Sequence, residues 1–90
     1  MSPKMNPQET SRQDVIKNFM PTIRYWAKFY HYQYHQVLEY DDLIMVGIIG
    51  LIDAMNKYDS AKKNQFKTYA EFRIRGEIID ELRKQDWMSR

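Results

Sequence analysis

The fold is decided by residues 40–59, which read YDDLIMVGIIGLIDAMNKYD. Apolar side chains fill almost every position between two acidic ends of this run. We predict a helix here, with Asp41 as its N-cap and Asp42 in its first turn, where carboxylates are favourable.

Two faces of this predicted helix are apolar. At about 100° per residue, one narrow arc holds mostly small residues, which allow a second helix backbone to approach closely. Its members are Leu43, Gly47, Gly50 and Ala54, and Met45, Ile48 and Ile52 lie on the opposite side. A helix that is apolar all round is normally buried on every side, but three short helices cannot easily wrap one completely. Either one apolar face is left for a partner, or the aromatic first helix covers it.

A further helix is predicted in the stretch FKTYAEFRIRGEIIDELRKQDW, residues 66–87. Thr68 and Glu71 have the spacing of a capping box, so we expect this helix to start near Thr68. We expect it to end at about Lys84 or Gln85. The predicted core stripe consists of Ala70, Ile74, Ile78 and Leu82.

The opposite side of this helix mixes aromatic, basic and small residues. It holds Tyr69, Phe72, Gly76, Ile79 and Arg83, with Arg73 and Asp80 alongside. Glycine costs about 1 kcal/mol in a helix interior, so Gly76 indicates close approach by another group. Aromatic rings and arginines together suit a single-stranded nucleic acid, because rings stack on bases and guanidinium groups pair with phosphates. Alternatively, Tyr69 and Phe72 pack with Phe66 under the preceding loop.

The rest of the chain completes one small domain. From Ser11 or Arg12 to Tyr34, apolar and aromatic residues recur at steps of three and four, which predicts a first helix. Pro21 should kink or split that helix. We predict a disordered leader at 1–10, a connector at 35–40 and a polar loop at 59–65. The predicted fold is an all-α, small helical bundle of three main helices, with the domain at 11–90.

Composition excludes several classes of protein. The chain has 43% hydrophobic and 29% charged residues, which suits a soluble globular protein. The absence of cysteine excludes disulfides and thiolate metal sites and fits a reducing cytosol. No apolar run could span a bilayer and no signal peptide is present, so we expect a cytoplasmic protein without a membrane partner. Residues 60–90 carry eight cations against five acids, a weak indication of nucleic acid.

No pattern predicts a catalytic site, a metal site or a cofactor. His31 and His35 lie one turn apart, but neither a third ligand nor the glutamate of H-E-x-x-H accompanies them. The GIIG segment lies inside a helix rather than after a strand, so it is not a phosphate loop. Asp80 and Glu81 are adjacent on a helix and point to different sides.

Two long motifs give the chain a family resemblance. The motif DDLIMVGIIGLIDAMNKYD, followed by FKTYAEFRIRGEIIDELRKQDW, resembles region two of bacterial RNA polymerase sigma factors. The segment RIRGEIIDELRKQDW is most similar to alternative sigma factors of the flagellar and sporulation type. The resemblance extends from about Asp14 to the end of the chain. It implies a domain without enzymatic activity that docks on the polymerase core and opens promoter DNA in transcription initiation.

The resemblance implies that the helix at 41–57 docks on a coiled coil of the polymerase β′ subunit. The matching residues are Asp42, Met45, Val46, Ile48 and Ile52. Many relatives have polar residues where Met45, Val46 and Ile48 stand. We therefore expect a more apolar interface, or an additional partner such as an anti-sigma factor.

The resemblance also implies that the next segment captures the non-template strand of the minus-ten promoter element, with one base flipped out against aromatic rings. The matching residues are Phe66, Thr68, Tyr69, Phe72 and Arg73, flanked by Lys67 and Arg75. Positions that read the upstream, double-stranded edge of the element correspond to Gly76, Ile79, Asp80 and Arg83. Primary sigma factors commonly have two tryptophans where Phe72 and Arg73 stand, so we expect melting to depend more on a well-matched promoter.

Two other hypotheses stay open. A free-standing helical module that binds single strands without polymerase predicts salt-sensitive DNA affinity of its own. A pure interaction domain, which binds polymerase or an anti-sigma factor but not DNA, predicts that Tyr69→Ala and Phe72→Ala have no effect. The resemblance implies that a complete sigma factor of this type continues into further helical domains, so this chain is either a piece of a longer factor, which we expect, or an unusually short factor.

Overall fold

The computed structural model describes residues 11–59 and 65–88. These residues form three helices, α1 (Arg12–Tyr34), α2 (Tyr40–Lys57) and α3 (Phe66–Met88). The predicted all-α bundle of three main helices is therefore confirmed. The predicted leader and residues 60–64 of the predicted loop lie outside the described residues. None of the three helices combines the length and the hydropathy that a membrane crossing requires.

The first helix begins where the sequence predicts. Ser11 is the N-cap of α1, and its hydroxyl accepts a hydrogen bond from the backbone N–H of Asp14 at 3.2 Å. This bond satisfies one of the free amides of the first turn. The predicted split at Pro21 is wrong, because the helix continues through it to Tyr34. Proline has no N–H, so the backbone carbonyl one turn earlier lacks its helical hydrogen-bond donor. Pro21 is exposed, so water can bond to this carbonyl instead. The predicted kink at Pro21 stays a prediction.

The second helix begins at Tyr40, and Glu39 occupies its N-cap position. The Glu39 carbonyl accepts a hydrogen bond from the Leu43 N–H at 3.1 Å. The prediction of Asp41 as N-cap is wrong, because Tyr40 packs against the core and joins the helix. Asp41 and Asp42 both lie in the first turn, where their charges favour the helix N-terminus, as expected for Asp42.

The third helix begins at Phe66, two residues before its predicted start. Thr68 is thus a residue of the first turn, and the predicted capping box with Glu71 is wrong. Phe66 is buried, and its ring meets the ring of Phe19 edge-on with centroids 5.7 Å apart. Burial of this ring favours a helix that extends back to it. The other end of α3 lies at Met88, beyond the predicted end.

One hydrophobic core joins the three helices. Its buried members are Val15, Phe19, Ile23, Ala27 and Tyr30 of α1, Leu43, Leu51 and Ala54 of α2, and Phe66, Ala70, Ile74, Ile78 and Leu82 of α3. The predicted core stripe of α3 is confirmed, with Phe66 added at its start. Among the described residues no polar or charged side chain is buried, so burial of apolar surface dominates the stability of the bundle.

The small residues of α2 lie where neighbouring helices come closest. A Cβ on Gly50 would lie 2.7 Å from the Arg73 carbonyl oxygen and 2.9 Å from the Ile74 Cα. A Cβ on Gly47 would lie 2.8 Å from Cγ2 of Ile23 in α1. These distances are shorter than van der Waals contact, so glycine is required for this packing. The predicted close approach along this arc is therefore confirmed.

Helices α1 and α3 run in the same direction, and α2 runs in the opposite one. Phe19 of α1 contacts Phe66 at the start of α3, and Trp26, two turns later in α1, contacts Glu71 further along α3. Arg12 at the start of α1 bonds to Asn56 at the end of α2. The side of α3 opposite its core stripe lies on the surface, since Thr68, Phe72 and Arg83 are exposed.

We predict that Gly50→Ala destabilises the bundle. The added methyl group would meet the α3 backbone, which cannot move without opening the core, and overpacking of this kind costs about 1–3 kcal/mol. Urea unfolding followed by circular dichroism measures the change.

Gly76→Ala is the matched control for that substitution. Its Cβ would lie 3.3 Å from the Nη1 atom of Arg73, the end of a side chain rather than backbone. Because alanine is favoured in helices by about 1 kcal/mol, we expect this variant to be as stable as the original or slightly more stable. Equal stability of Gly50→Ala and the unmodified chain would contradict the close packing of α2 on α3.

Candidate nucleic-acid interface

The α3 outer face is the surface formed by Thr68, Tyr69, Phe72, Gly76 and Arg83. Helical spacing turns these residues away from the core stripe, because three and four residues complete about one turn. Phe72 is the most unusual of them, since 67% of this large apolar side chain is exposed. An exposed aromatic ring at the centre of a helix face offers a flat stacking surface.

Most of the other residues predicted to bind DNA are accessible as well. Those that are exposed are Lys67, Thr68, Arg75, Asp80 and Arg83, and those that are half-buried are Tyr69, Arg73, Gly76 and Ile79. Lys67 is not brought to the α3 outer face, because five residues place it about 140° around the helix from Phe72.

Tyr69 is held by the end of α2. Its ring lies 6.3 Å from the ring of Tyr58, measured between centroids, at an interplanar angle of 35°. Tyr58 is in turn packed edge-on against the buried ring of Phe66, at 5.1 Å. Tyr69 is therefore half-buried and supported from below, while Phe72, three residues later, projects into solvent. The alternative prediction of both rings packed inward with Phe66 is wrong for Phe72.

Phe66 itself belongs to the core, with 4% of its surface exposed. Its ring is enclosed between Phe19 of α1 and Tyr58, the residue that follows the end of α2. A base could reach this ring only if the ring left the core. In this structure Phe66 supports the aromatic surface from inside.

Arg73 is engaged by two carboxylates. Its Nε atom donates to Oδ2 of Asp53 in α2 at 2.7 Å, and its Nη2 atom donates to Oε1 of Glu77 at 3.2 Å. Lys57 lies 3.1 Å from the other Asp53 oxygen. The hydrogen bonds from Arg73 and then Lys57 hold the pKa of Asp53 below its ordinary value, and the bond from Asp53 raises the pKa of Arg73. The two carboxylates offset the charge that Arg73 would otherwise present to a phosphate.

Gly76 gives the Arg73 side chain room on the helix surface. A Cβ at this position would lie 3.3 Å from Arg73 Nη1, one turn earlier. The close approach that the glycine indicates is therefore, in this structure, that of the chain's own guanidinium group.

Trp26 of α1 lies against the other edge of α3. Its indole N–H donates to Glu71 Oε2 at 2.8 Å, and the guanidinium carbon of Arg75 lies 4.3 Å from its ring centroid. Glu71 thus bonds to α1 instead of capping its own helix. The sequence contains no local signal for this contact, because it joins residues on two helices that meet only when the bundle forms.

An open cavity of about 370 Å³ continues along the same α1–α3 boundary. It is lined by Tyr30 and Tyr34 of α1 and by Ile79, Leu82 and Arg83 of α3. The predicted residues Ile79 and Arg83 therefore lie at the α1 side of α3, one or two turns beyond Arg75.

The α2 outer stripe is the second candidate surface, formed by Met45, Ile49 and Ile52. Met45 is 59% exposed and Ile49 is 53% exposed, while Ile52 is half-buried. The alternative prediction, in which the first helix covers this face, is wrong for Met45. Ile49 was not among the predicted contact residues, although its position four residues after Met45 places it on the same stripe.

The other predicted docking residues flank this stripe. Asp42 is exposed, and Val46 and Ile48 are half-buried. His31 and His35, the pair that the sequence argues against as a metal site, have ring centroids 6.4 Å apart. Within 11–59 and 65–88, no group of three or more His, Cys, Asp or Glu residues is placed to hold a metal ion.

The family model described as sigma-70 region 2 matches residues 15–88 of this chain. The chain belongs to the sigma-70 region 2 family. The match includes all of α2 and α3, so both candidate surfaces of this sigma region 2 chain lie inside the region that defines the family.

Curated relatives place this sigma region 2 chain beside flagellar-type factors. It is 42% identical over 77 residues to the RNA polymerase sigma-D factor of Bacillus subtilis, covering 86% of this chain and 30% of that protein. It is 37% identical over 82 residues to the sigma factor FliA of Pseudomonas aeruginosa, covering 91% and 33%. It is 39% identical over 79 residues to FliA of Escherichia coli K12, covering 88% and 33%. The chain thus spans about a third of the length of these relatives.

We predict that Asp53→Asn lowers the free energy of unfolding by about 1–2 kcal/mol at neutral pH, because it removes a partly buried ion pair between α2 and α3. The pKa of Asp53 is lowered in the folded state, so this contribution is present at neutral pH. As the pH decreases, the contribution of this ion pair to the free energy of unfolding should begin to fall near pH 3.8, the ordinary pKa of the aspartate side chain. It should vanish below the lowered pKa that Asp53 has in the folded state.

Denaturant unfolding of both proteins across this pH range measures the effect. Lys57→Gln is the control, since the Lys57 side chain is 65% exposed and should contribute little. A stability difference between Asp53→Asn and the unmodified chain that persists unchanged at pH 2 would contradict the assignment.

Proposed function

We propose that this chain is the core-binding and promoter-melting part of a flagellar-type sigma factor, without catalytic activity of its own. The α3 outer face holds the non-template strand of the minus-ten element, and the α2 outer stripe docks on the β′ coiled coil of the RNA polymerase core. The observation that carries the proposal is the exposed ring of Phe72 beside Tyr69, in a chain of the sigma-70 region 2 family. Such a domain acts in the cytoplasm, where the polymerase is.

Stacking on Phe72 and Tyr69 supplies the free energy for strand capture. A base that leaves the duplex costs a few kcal/mol, and stacking on an aromatic ring returns about 1–3 kcal/mol. Tyr69 is held by Tyr58 before DNA arrives, so little of this gain is lost in ordering the ring. Arg75, which is exposed, is placed to pair with phosphates beside the stacked bases.

Phe66 and Arg73 have supporting roles in this proposal. Phe66 is buried under Tyr58, and Arg73 is bonded to Asp53 and Glu77. Both residues fix the position of α3 rather than contact bases. This differs from the direct contacts that the resemblance implies for these two positions.

The later turns of α3 would meet the upstream, double-stranded edge of the element. Gly76 and Arg83 follow Phe72 on the α3 outer face, Ile79 and Arg83 line the cavity at its α1 edge, and Asp80 is exposed alongside them. Arg83 is exposed and supplies a cation for the DNA backbone, and Asp80 can accept a hydrogen bond from a cytosine amino group.

The α2 outer stripe suits a protein partner because it is apolar and exposed. Met45 and Ile49 present adjacent apolar side chains in water, an arrangement that marks interaction surfaces. Asp42 lies one turn before them and can pair with a basic residue of the partner. We assign this stripe to the polymerase β′ subunit, and an anti-sigma factor is a further candidate partner for the same surface.

We predict that Phe72→Ala weakens binding of the polymerase-bound chain to a non-template minus-ten strand by about 5- to 150-fold, the equivalent of one lost stacking interaction. The side chain is exposed, so the fold should be unaffected. Fluorescence anisotropy with a labelled strand measures the loss.

Phe72→Trp is the matched variant, because it enlarges the stacking surface and should bind at least as tightly as the unmodified chain. A scrambled strand controls for sequence preference. Unchanged affinity of Phe72→Ala would show that the ring does not contact bases.

We also predict that Met45→Asp with Ile49→Asp lowers affinity for the polymerase core at least tenfold. Two exposed apolar side chains become carboxylates, which an apolar partner surface would have to desolvate. Competition with a labelled sigma factor for purified core measures this affinity, and Phe72→Ala is the control that should leave it unchanged. Core binding that survives both aspartates would exclude the α2 outer stripe as the docking surface.

A further inference from the structure

The outward side of α1 carries three exposed aromatic side chains. The α1 aromatic stripe consists of Tyr25, Phe29 and Tyr32, which are 61%, 43% and 86% exposed. Steps of four and three residues align them on one side of the helix, opposite the buried Ile23 and Ala27. The fold does not require them, because the core face of α1 is occupied by other residues. Surface aromatics concentrated on one helix face are typical of a binding surface.

The charge around this stripe has one sign. Residues 15–38 contain no aspartate or glutamate, whereas Lys17, Arg24 and Lys28 are all exposed. Lys28 lies three residues after Tyr25 and four residues before Tyr32, so it neighbours both rings on the helix surface, and Arg24 lies one turn before Lys28 along the same edge of the stripe. The stripe therefore has a row of two cations beside it. This combination is complementary to a polymer with flat bases and a phosphate at every step, and so favours single-stranded nucleic acid.

Trp26 connects the α1 aromatic stripe to the α3 outer face. Its ring meets Tyr25 edge-on at 4.9 Å and Phe29 edge-on at 5.4 Å. On its other side it contacts Arg75 of α3, at 4.3 Å, and bonds to Glu71. Phe72 is the residue after Glu71. Arg75, three residues after Phe72, is the cation on this path, so a strand that leaves Phe72 can pass over Arg75 and Trp26 onto α1.

We propose that the α1 aromatic stripe is a second stacking platform for single-stranded DNA. The platform takes the part of the strand that extends past the α3 outer face, and Arg24 and Lys28 pair with its phosphates. This inference rests on the proposed function, since it assigns to α1 the continuation of the strand held by α3. The distance from Tyr25 to Tyr32 along the helix axis is about 10 Å, which gives space for a short run of stacked bases.

The first test is photocrosslinking with the chain bound to polymerase core. Single strands with 5-iodouracil at successive positions are irradiated, and the attached peptide is identified by mass spectrometry. We expect some positions to attach to the peptide that contains Phe72, and positions further along the strand to attach to Tyr25, Phe29 or Tyr32. Attachment to α3 alone, at every position of the strand, would overturn the inference and leave the proposed function intact.

The second test compares strand lengths. The variant Tyr25→Ser, Phe29→Ser, Tyr32→Ser should bind a labelled oligothymidine of about 20 nucleotides at least tenfold more weakly, while affinity for one of about 6 nucleotides changes little. Tyr34→Ser is the control, because it also removes an exposed aromatic side chain from α1 but lies outside the α1 aromatic stripe. All four positions are exposed, and thermal unfolding by circular dichroism verifies that each variant folds.

The third test isolates the phosphate contacts. Log affinity falls as log salt concentration rises, and each phosphate contact adds about 0.7 to the steepness of that fall. Arg24→Gln with Lys28→Gln should therefore make the fall shallower by about 1.4 for the longer strand. An unchanged slope would contradict the role of these two cations.

The outcomes separate the two proposals. If the serine variant loses affinity for the longer strand while Phe72→Ala does not, the α1 platform stands and the assigned role of α3 fails. If Phe72→Ala alone loses affinity, the platform is overturned. If the serine variant keeps its DNA affinity but loses affinity for the polymerase core, the stripe is a protein-docking surface, and the inference is wrong.

Discussion

The close contact between α2 and α3 at Gly50 determines how the rest of the structure is arranged. With no side chain at this position, the α3 backbone at Arg73 and Ile74 lies against α2. This contact fixes the separation and the rotation of the two helices. Because Arg73 faces α2, the adjacent Phe72 faces outward. The exposure of the aromatic ring is therefore a consequence of helix packing, and so is the burial of the core stripe on the other side of α3.

The ion pair between Asp53 and Arg73 links the two candidate surfaces. Asp53 follows Ile52 of the α2 outer stripe, and Arg73 follows Phe72 of the α3 outer face. On the proposed function, a partner on α2 and a strand on α3 would thus be held at a fixed relative position by adjacent residues. Because Arg73 is bonded to Asp53 of α2 and to Glu77, the rings that α3 offers for stacking are those of Tyr69 and Phe72.

The sequence allowed the prediction of those features that depend on local spacing. Burial of one side of a helix imposes a period on its apolar residues, which is why three helices and the core stripe of α3 were predicted and Phe72 was assigned to the surface. The engagement of Arg73 by Asp53 was not predicted, because the two residues are twenty positions apart and meet only through helix rotation. Trp26 was missed as a neighbour of α3 for the same reason. Thr68 was assigned to a cap from local spacing, which the burial of Phe66 overrides.

In the proposed function, one small domain holds polymerase core and promoter strand on two neighbouring helices. A paired binding measurement tests it directly: the affinity of the chain for a fluorescent non-template minus-ten strand and for a scrambled strand, each with and without purified polymerase core. We expect preference for the minus-ten strand that appears or strengthens when core is bound. Equal, salt-sensitive binding of both strands without core, unchanged when core is added, would contradict it and would indicate a free-standing single-strand-binding module.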